Sequence, residues 1–183
     1  MGSSTVLPQD GWTRLFDGKS LSGWTLEANA KWKVAEGVIV GDAGGDGWLR
    51  SNKAYTDFIL KCDYRCGAKV NSGIFFRATQ KSTSEGADPL EAYELQIFNE
   101  NAEGWPTGSI ENVIKRLMDV NPAANTWHHY ELEVRGTHIS ATLDGTKVVD
   151  GKDSKLRSGY IGLQHHKDNK AEFRDIYIKT LAR

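Results

Sequence analysis

The stretch "EAYELQIFNE", Glu91 to Glu100, alternates in a way that decides how the whole chain is read. As a β-strand it puts Tyr93, Leu95 and Ile97 on one face and Glu94, Gln96 and Phe98 on the other, because successive strand side chains point to opposite faces. The apolar row is a core face. The second row, an acid, an amide and an aromatic ring, suits a solvated sheet surface, one wall of a glycosidase acid pair, or the floor of another kind of sugar site.

Working outward, the same period of two recurs in short segments divided by turns. "KWKVAEGVIVG", "WLRSN", "DFILKCDYRCG", "SGIFFRATQ", "HHYELEVRG", "HISATLDG", "TKVVDG", "YIGLQHH" and "AEFRDIYIKTL" alternate or are rich in β-branched and aromatic residues. So many strands predict an all-β sandwich or jelly roll. Asp144-Gly145 supplies the positive φ pair of a two-residue hairpin, and "AEGVIV" resembles a second such turn. Two segments stand apart. In "SIENVIKRLMD", Ile110, Val113, Ile114, Leu117 and Met118 match one apolar face of a short helix capped by Ser109, or else a packed loop. "KSTSEGADPLEA", Lys81 to Ala92, reads as a long loop. The glycine-rich "GDAGGDGW", with Asp42 and Asp46, reads as a flexible turn rather than a cation site.

Composition excludes several function classes. With 183 residues and a net charge of −1 the chain suits one domain over 11–183, preceded by a disordered or expression-derived stretch over 1–10. No basic block provides for nucleic acid, and no run of about 18 apolar residues provides for a transmembrane helix. Cys62 and Cys66, four residues apart on one strand, would have Cα atoms roughly 13 Å apart, too far for a disulfide. No phosphate loop, nucleophile elbow, His-Glu-x-x-His or complete calcium loop occurs.

Alternation selects further residues for the face that holds Glu94. Ile74 and Phe76 look buried, which leaves Asn71, Phe75 and Arg77. Ile161 and Leu163 look buried, which leaves Gln164 and His166, with His165 turned to the core or rim. Aromatic faces cover sugar C–H patches, while amides, Arg and carboxylate fork to hydroxyl pairs. Periodicity alone supports a wet sheet face equally well. His128, His129 and His138 read as structural or solvated, since no polar partner for them is visible in the sequence.

"GWTRLFDGKSLSGW", "YTDFILKCDYR", "NSGIFFR", "YELQI", "TGSI", "NTWHHYELEVRGTHISATLDG", "GYIGLQHH" and "FRDIYIKTL", in this order, resemble the 3-keto-disaccharide hydrolase domain family from about Gly11 to Leu181. The resemblance implies a concanavalin A-like jelly roll of two antiparallel sheets. It also implies a bacterial, periplasmic or secreted enzyme acting on keto-sugar glycosides, its export signal lying outside this sequence. Glu94, His166 and Arg77 are then the catalytic candidates. Gln96, Gln164, Asn71, Phe75, Phe98, Asn99 and Trp105 are the substrate-binding ones. The family often has an acid at Asn99 and an aromatic at Glu111, so this chain departs from it at both. A ketone at C3 acidifies the C2 proton, so C2 deprotonation, loss of the C1 alkoxide and later hydration give the expected route. A divalent cation would suit an enediolate, although no spacing identifies its ligands, and homo-oligomerisation is left open. The competing class is a non-catalytic carbohydrate-binding module, with Trp24, Trp48 and Trp105 in loop-like contexts. Ordinary hydrolysis ranks lower, because the strand offers no second central carboxylate.

Overall fold

The computed structural model describes residues 11–79, 89, 91–101 and 104–182. Residues 1–10 and most of the long loop expected over Lys81–Ala92 lie outside the described residues. Among those described there are eleven antiparallel strands and no helix, hence none long and apolar enough to cross a membrane. The strands are β1 (Trp12–Arg14), β2 (Trp24–Ala35), β3 (Val38–Tyr55), β4 (Phe58–Cys66), β5 (Ser72–Ala78) and β6 (Tyr93–Ile97). They continue with β7 (His128–Arg135), β8 (His138–Leu143), β9 (Thr146–Lys152), β10 (Gly159–His165) and β11 (Ala171–Thr180).

The expected pair of sheets is one curled sheet, ordered β6-β5-β10-β3-β11-β4-β7-β8-β9, with β2 on β3 and β1 on β11. The strand that makes this continuity is β3. Its first part, Ile39 to Gly41, pairs with Phe173 to Ala171, and its later part, Gly47 to Tyr55, pairs with β10. The "GDAGGDGW" stretch therefore lies inside a strand rather than in a loose turn. Its glycines admit β2 at close range: Gly44 has φ 87, and a Cβ there would lie 2.3 Å from the Asn29 carbonyl. The hairpins are as the sequence predicts, with positive φ at Glu36-Gly37 and at Asp144-Gly145.

Curling lets the apolar rows of the two halves face each other. Leu49, Ile74, Phe76, Tyr93, Leu95, Ile161 and Leu163 from one half meet Leu60, Tyr130, Leu132, Val134, Ile139 and Phe173 from the other in one buried cluster. At roughly 25 cal/mol per Å² of apolar surface, this burial is the main driving force of the fold. Of the two readings of 110–118, a short helix or a packed loop, the structure has the packed loop. Ile110 bridges Leu95 and Ile114, Asn112 takes φ 57, and Leu117 N–H reaches Val148 O at 2.8 Å. The segment straps edge strand β6 to edge strand β9, and satisfying those two edges outweighs its helical period. Leu117 and Met118, placed on an apolar helix face by that period, are exposed.

Candidate functional site

The face of β6, β5, β10 and β3 that turns away from the core carries two cross-strand rows. One runs Glu94–Phe75–Gly162–Arg50–Thr25, each neighbour directly paired. The other holds Gln96 opposite Gly73, and Gln164 opposite Trp48, which is itself opposite Glu27. Glu94, Gln96 and Gln164 are thus brought onto one face, as alternation predicts, and all three are buried. A wet sheet face would leave them exposed, so the surface reading of this row does not hold.

Two glycines shape the row. A Cβ at Gly73 would stand 2.1 Å from Glu94 Oε1, so the carboxylate lies directly over that backbone. A Cβ at Gly162 would stand 2.3 Å from the Trp48 ring, which lies over Gly162 and meets Phe75 edge-on at 5.7 Å. Trp48, expected in a loop, is a fully buried strand residue beneath the site. Gln96 is fixed by its own neighbour: Oε1 accepts the Ile97 N–H at 3.0 Å, which leaves the amide NH₂ as the donating end.

Glu94 and Phe75 line a cavity of about 470 Å³ together with Ala92, Tyr93, Glu111, Asn112, Asp153 and Lys155. That size is within the range of sites for small organic ligands, ~300–1,000 Å³. Its far side is polar. Lys155 pairs with Glu91 at 3.4 Å, and the Tyr93 hydroxyl donates to Asp153 and accepts the Leu156 N–H at 3.0 Å. The Tyr93 bond, then the Lys155 N–H, hold the Asp153 carboxyl below its ordinary value, while burial, then Asp153, push the Tyr93 phenol up.

Arg77 is not on this face. Tyr160 pairs with Ala78 and Gly162 with Phe75, so Phe76 and Arg77 together oppose the single Ile161, a bulge in which Arg77 takes φ 49. The extra residue breaks the period of two and turns Arg77 to the other side. Its guanidinium is buried, donating to Thr56 O, Gly136 O, Leu156 O and Asp57 Oδ1 at 2.7–3.0 Å. The arginine that does share the site face is Arg50, which the sequence reading passed over. It pairs with Glu27 at 2.6 Å and lies 4.4 Å from the Tyr160 ring centre.

His166 stands at the rim, its Nδ1 3.5 Å from Asp46 Oδ1. Four residues along β10 and two strand spacings across put its Cα roughly 16 Å from that of Glu94. His165 is buried between Gly45 O and Asn169 O. His128, His129 and His138 each pair with an aspartate, Asp144, Asp63 and Asp150, all at 2.7 Å and all invisible in sequence order. Asn71 donates its backbone N–H to Asn169 Oδ1 at the same rim. Asn99 is tied to Thr107 and Pro122 O, which braces the turn after β6. Phe98 is half-buried in that turn, Trp105 carries Lys115 4.0 Å from its ring centre, and Trp24 is a core residue bonded to Leu15 O. Cys62 and Cys66 are both free. Among the described residues no three His, Cys, Asp or Glu side chains converge to hold a metal ion.

Residues 11–179 match the profile of the 3-keto-alpha-glucoside-1,2-lyase-like domain. The chain belongs to that family. Among relatives of this lyase-like domain, the 3-keto-disaccharide hydrolase of Bacteroides thetaiotaomicron is 24% identical, with 94% of this chain and 79% of that protein covered. A solved, presumptive glycosyl hydrolase from Parabacteroides distasonis superposes with a TM-score of 0.80 at 21% identity, covering 94% of each chain. A carbohydrate-binding module from Bacillus subtilis superposes with a TM-score of 0.65 at 18% identity, over 86% of this chain and 96% of that one. The lyase-like domain thus has a lectin-like all-β fold that solved structures of both kinds share.

Proposed function

We propose that this protein cleaves glycosides already oxidised to a ketone at C3, by elimination across C1–C2 followed by hydration. Membership of the lyase-like family supports action on glycosides, and one structural observation carries the finer reading. A buried carboxylate, Glu94, lines a ligand-sized cavity and shares its sheet face with two buried amides, Gln96 and Gln164. The ketone makes the C2 proton acidic enough for a carboxylate to remove. Glu94 takes that proton, the electron pair moves to the C3 oxygen, and the Gln96 NH₂ is oriented to donate to the charge that develops there. The C1–O bond then breaks, its electron pair leaving with the aglycone oxygen, and water adds to the resulting double bond. His166 with Asp46 stands at the rim, where it meets substrate hydroxyls rather than the reacting carbons. The setting consistent with such a substrate is the periplasm or the cell exterior.

The test pairs a 3-keto-glucoside with its unoxidised parent. Aglycone release from the ketone alone, reduced at least a hundredfold by Glu94→Gln, is the expected outcome. Binding of both sugars without turnover of either would instead make the protein a carbohydrate-binding module, a reading that the Bacillus subtilis module's similar fold keeps in view.

A further inference from the structure

Glu111 is the second carboxylate that strand β6 lacks. Leu95 bridges Ile110 in antiparallel register, Glu111 N–H reaches Glu94 O at 2.9 Å, and Gln96 N–H reaches Ser109 O at 3.0 Å. Glu111 opens the turn that follows this isolated bridge, and its N–H bond to Glu94 O holds the two backbones side by side. Ile110, like Leu95, is fully buried in the core, and both glutamates line the same cavity. Glu111 is half-buried, and among the described residues its carboxylate has neither a hydrogen bond nor an ion pair. It is therefore spare, positioned and facing the reacting space.

We infer that Glu111 is the general acid of the site, protonating the aglycone oxygen while Glu94 removes the C2 proton. This rests on the elimination reading above. In the reacting form Glu94 is ionised and Glu111 carries the proton. The C2–H bond breaks toward Glu94, and the C2 pair, held transiently on the C3 oxygen, returns as the C1–C2 double bond. The C1–O bond breaks toward the aglycone oxygen, which takes the Glu111 proton. The products are the free aglycone alcohol and an unsaturated keto-sugar, and water addition across the double bond returns the pair to its starting protonation. Two carboxyl groups side by side serve both proton transfers on one side of a sugar ring, a geometry that His166, across two strands and four residues along, does not offer.

An acid that assists departure matters most when the leaving group is poor. Wild type, Glu111→Gln and Glu111→Asp are compared on a 3-keto-disaccharide, whose leaving group is a sugar alkoxide, and on a nitrophenyl 3-keto-glucoside, whose phenolate needs no proton. The expected result is that E111Q lowers the ratio of kcat/KM, disaccharide over nitrophenyl, about a hundredfold, and that E111D restores part of it. Melting curves of both variants confirm that folded protein is being compared. If wild type turns over both substrates and E111Q leaves the ratio unchanged, Glu111 is not the acid and the elimination reading stands. If wild type turns over neither, the elimination reading itself falls and this role falls with it. Cleavage of the unoxidised parent by wild type would likewise overturn both in favour of a conventional carboxylate pair.

Discussion

Replacing Gly73 by Ala isolates the position of the Glu94 carboxylate from its chemistry. The new Cβ would stand 2.1 Å from Oε1, 2.7 Å from Cγ and 2.8 Å from Cδ of Glu94. Ordinary contact begins at 3.4 Å, so the carboxylate must move by about 1.3 Å, and a misplacement of roughly that size is worth on the order of 10²-fold in rate. Gly73 lies in a regular strand outside the positive-φ region, so the backbone accepts Ala, and the atoms displaced are the far end of a flexible side chain. Stability should hence change little, with the ~0.4–1 kcal/mol gained by stiffening the unfolded chain offsetting the cost of moving Glu94. The assay is turnover of a 3-keto-glucoside by G73A, E94Q and the double variant, alongside thermal melting. G73A should lose about two orders of magnitude in kcat with an unmoved melting point, and G73A/E94Q should be no slower than E94Q, because both changes act through one group. A G73A enzyme within threefold of wild type, or a double variant whose losses multiply, would refute the reasoning that Glu94 acts from this position.

Gly162→Ala drives a Cβ to 2.3 Å from the buried Trp48 ring and 3.2 Å from Phe75 Cβ, so overpacking should cost ~1–3 kcal/mol, read as a lower urea midpoint. Arg77→Ala removes a buried guanidinium from four half-buried acceptors, including Asp57, and leaves a cavity, so it should cost roughly 3–5 kcal/mol with the folded fraction losing no activity specifically. Denaturant unfolding followed by assay at equal folded concentration checks both halves. The Asp153 carboxyl is held below its ordinary value by the Tyr93 hydroxyl first, then the Lys155 N–H. Its ionised form is therefore favoured by folding, so this contribution is present above about pH 4 and is lost as pH falls further. Tyr93→Phe should flatten the acid limb of a stability–pH curve, lowering stability at neutral pH, where this contribution is present, and converging toward wild type as pH falls below about 4.

The all-β architecture was legible because period-two alternation reports a half-buried sheet wherever it occurs. Glu94, Gln96 and Gln164 came onto one face for that reason alone. Arg77 shows where such counting stops: it holds until one extra residue enters a strand, and nothing in "GIFFRA" announces the bulge opposite Ile161. The same blindness hid Arg50, because nothing in "WLRSN" shows that β3 runs unbroken through the glycines before it. The helical period at 110–118 left a short helix and a packed loop both open, and the fold chose the loop. Two open strand edges lay within reach of that segment, and backbone groups left unpaired there cost more than helix propensity returns.

The separation of function from sequence order is clearest at the carboxylates. A search along one strand for a second acid finds none within reach of Glu94, since Gln96 and Phe98 follow it. The second acid instead arrives from a strap 17 residues downstream. An aromatic ring there would wall the cavity, whereas a glutamate adds a proton-carrying group at the same spot without altering the register that holds it. On the elimination reading, leaving-group assistance in this chain rests on the side chain that the strap presents beside Glu94, while the floor that Gly73 and Gly162 hollow out holds the sugar. This is why exchanging the single residue Glu111 should separate leaving-group assistance from sugar binding more cleanly than any change in the floor.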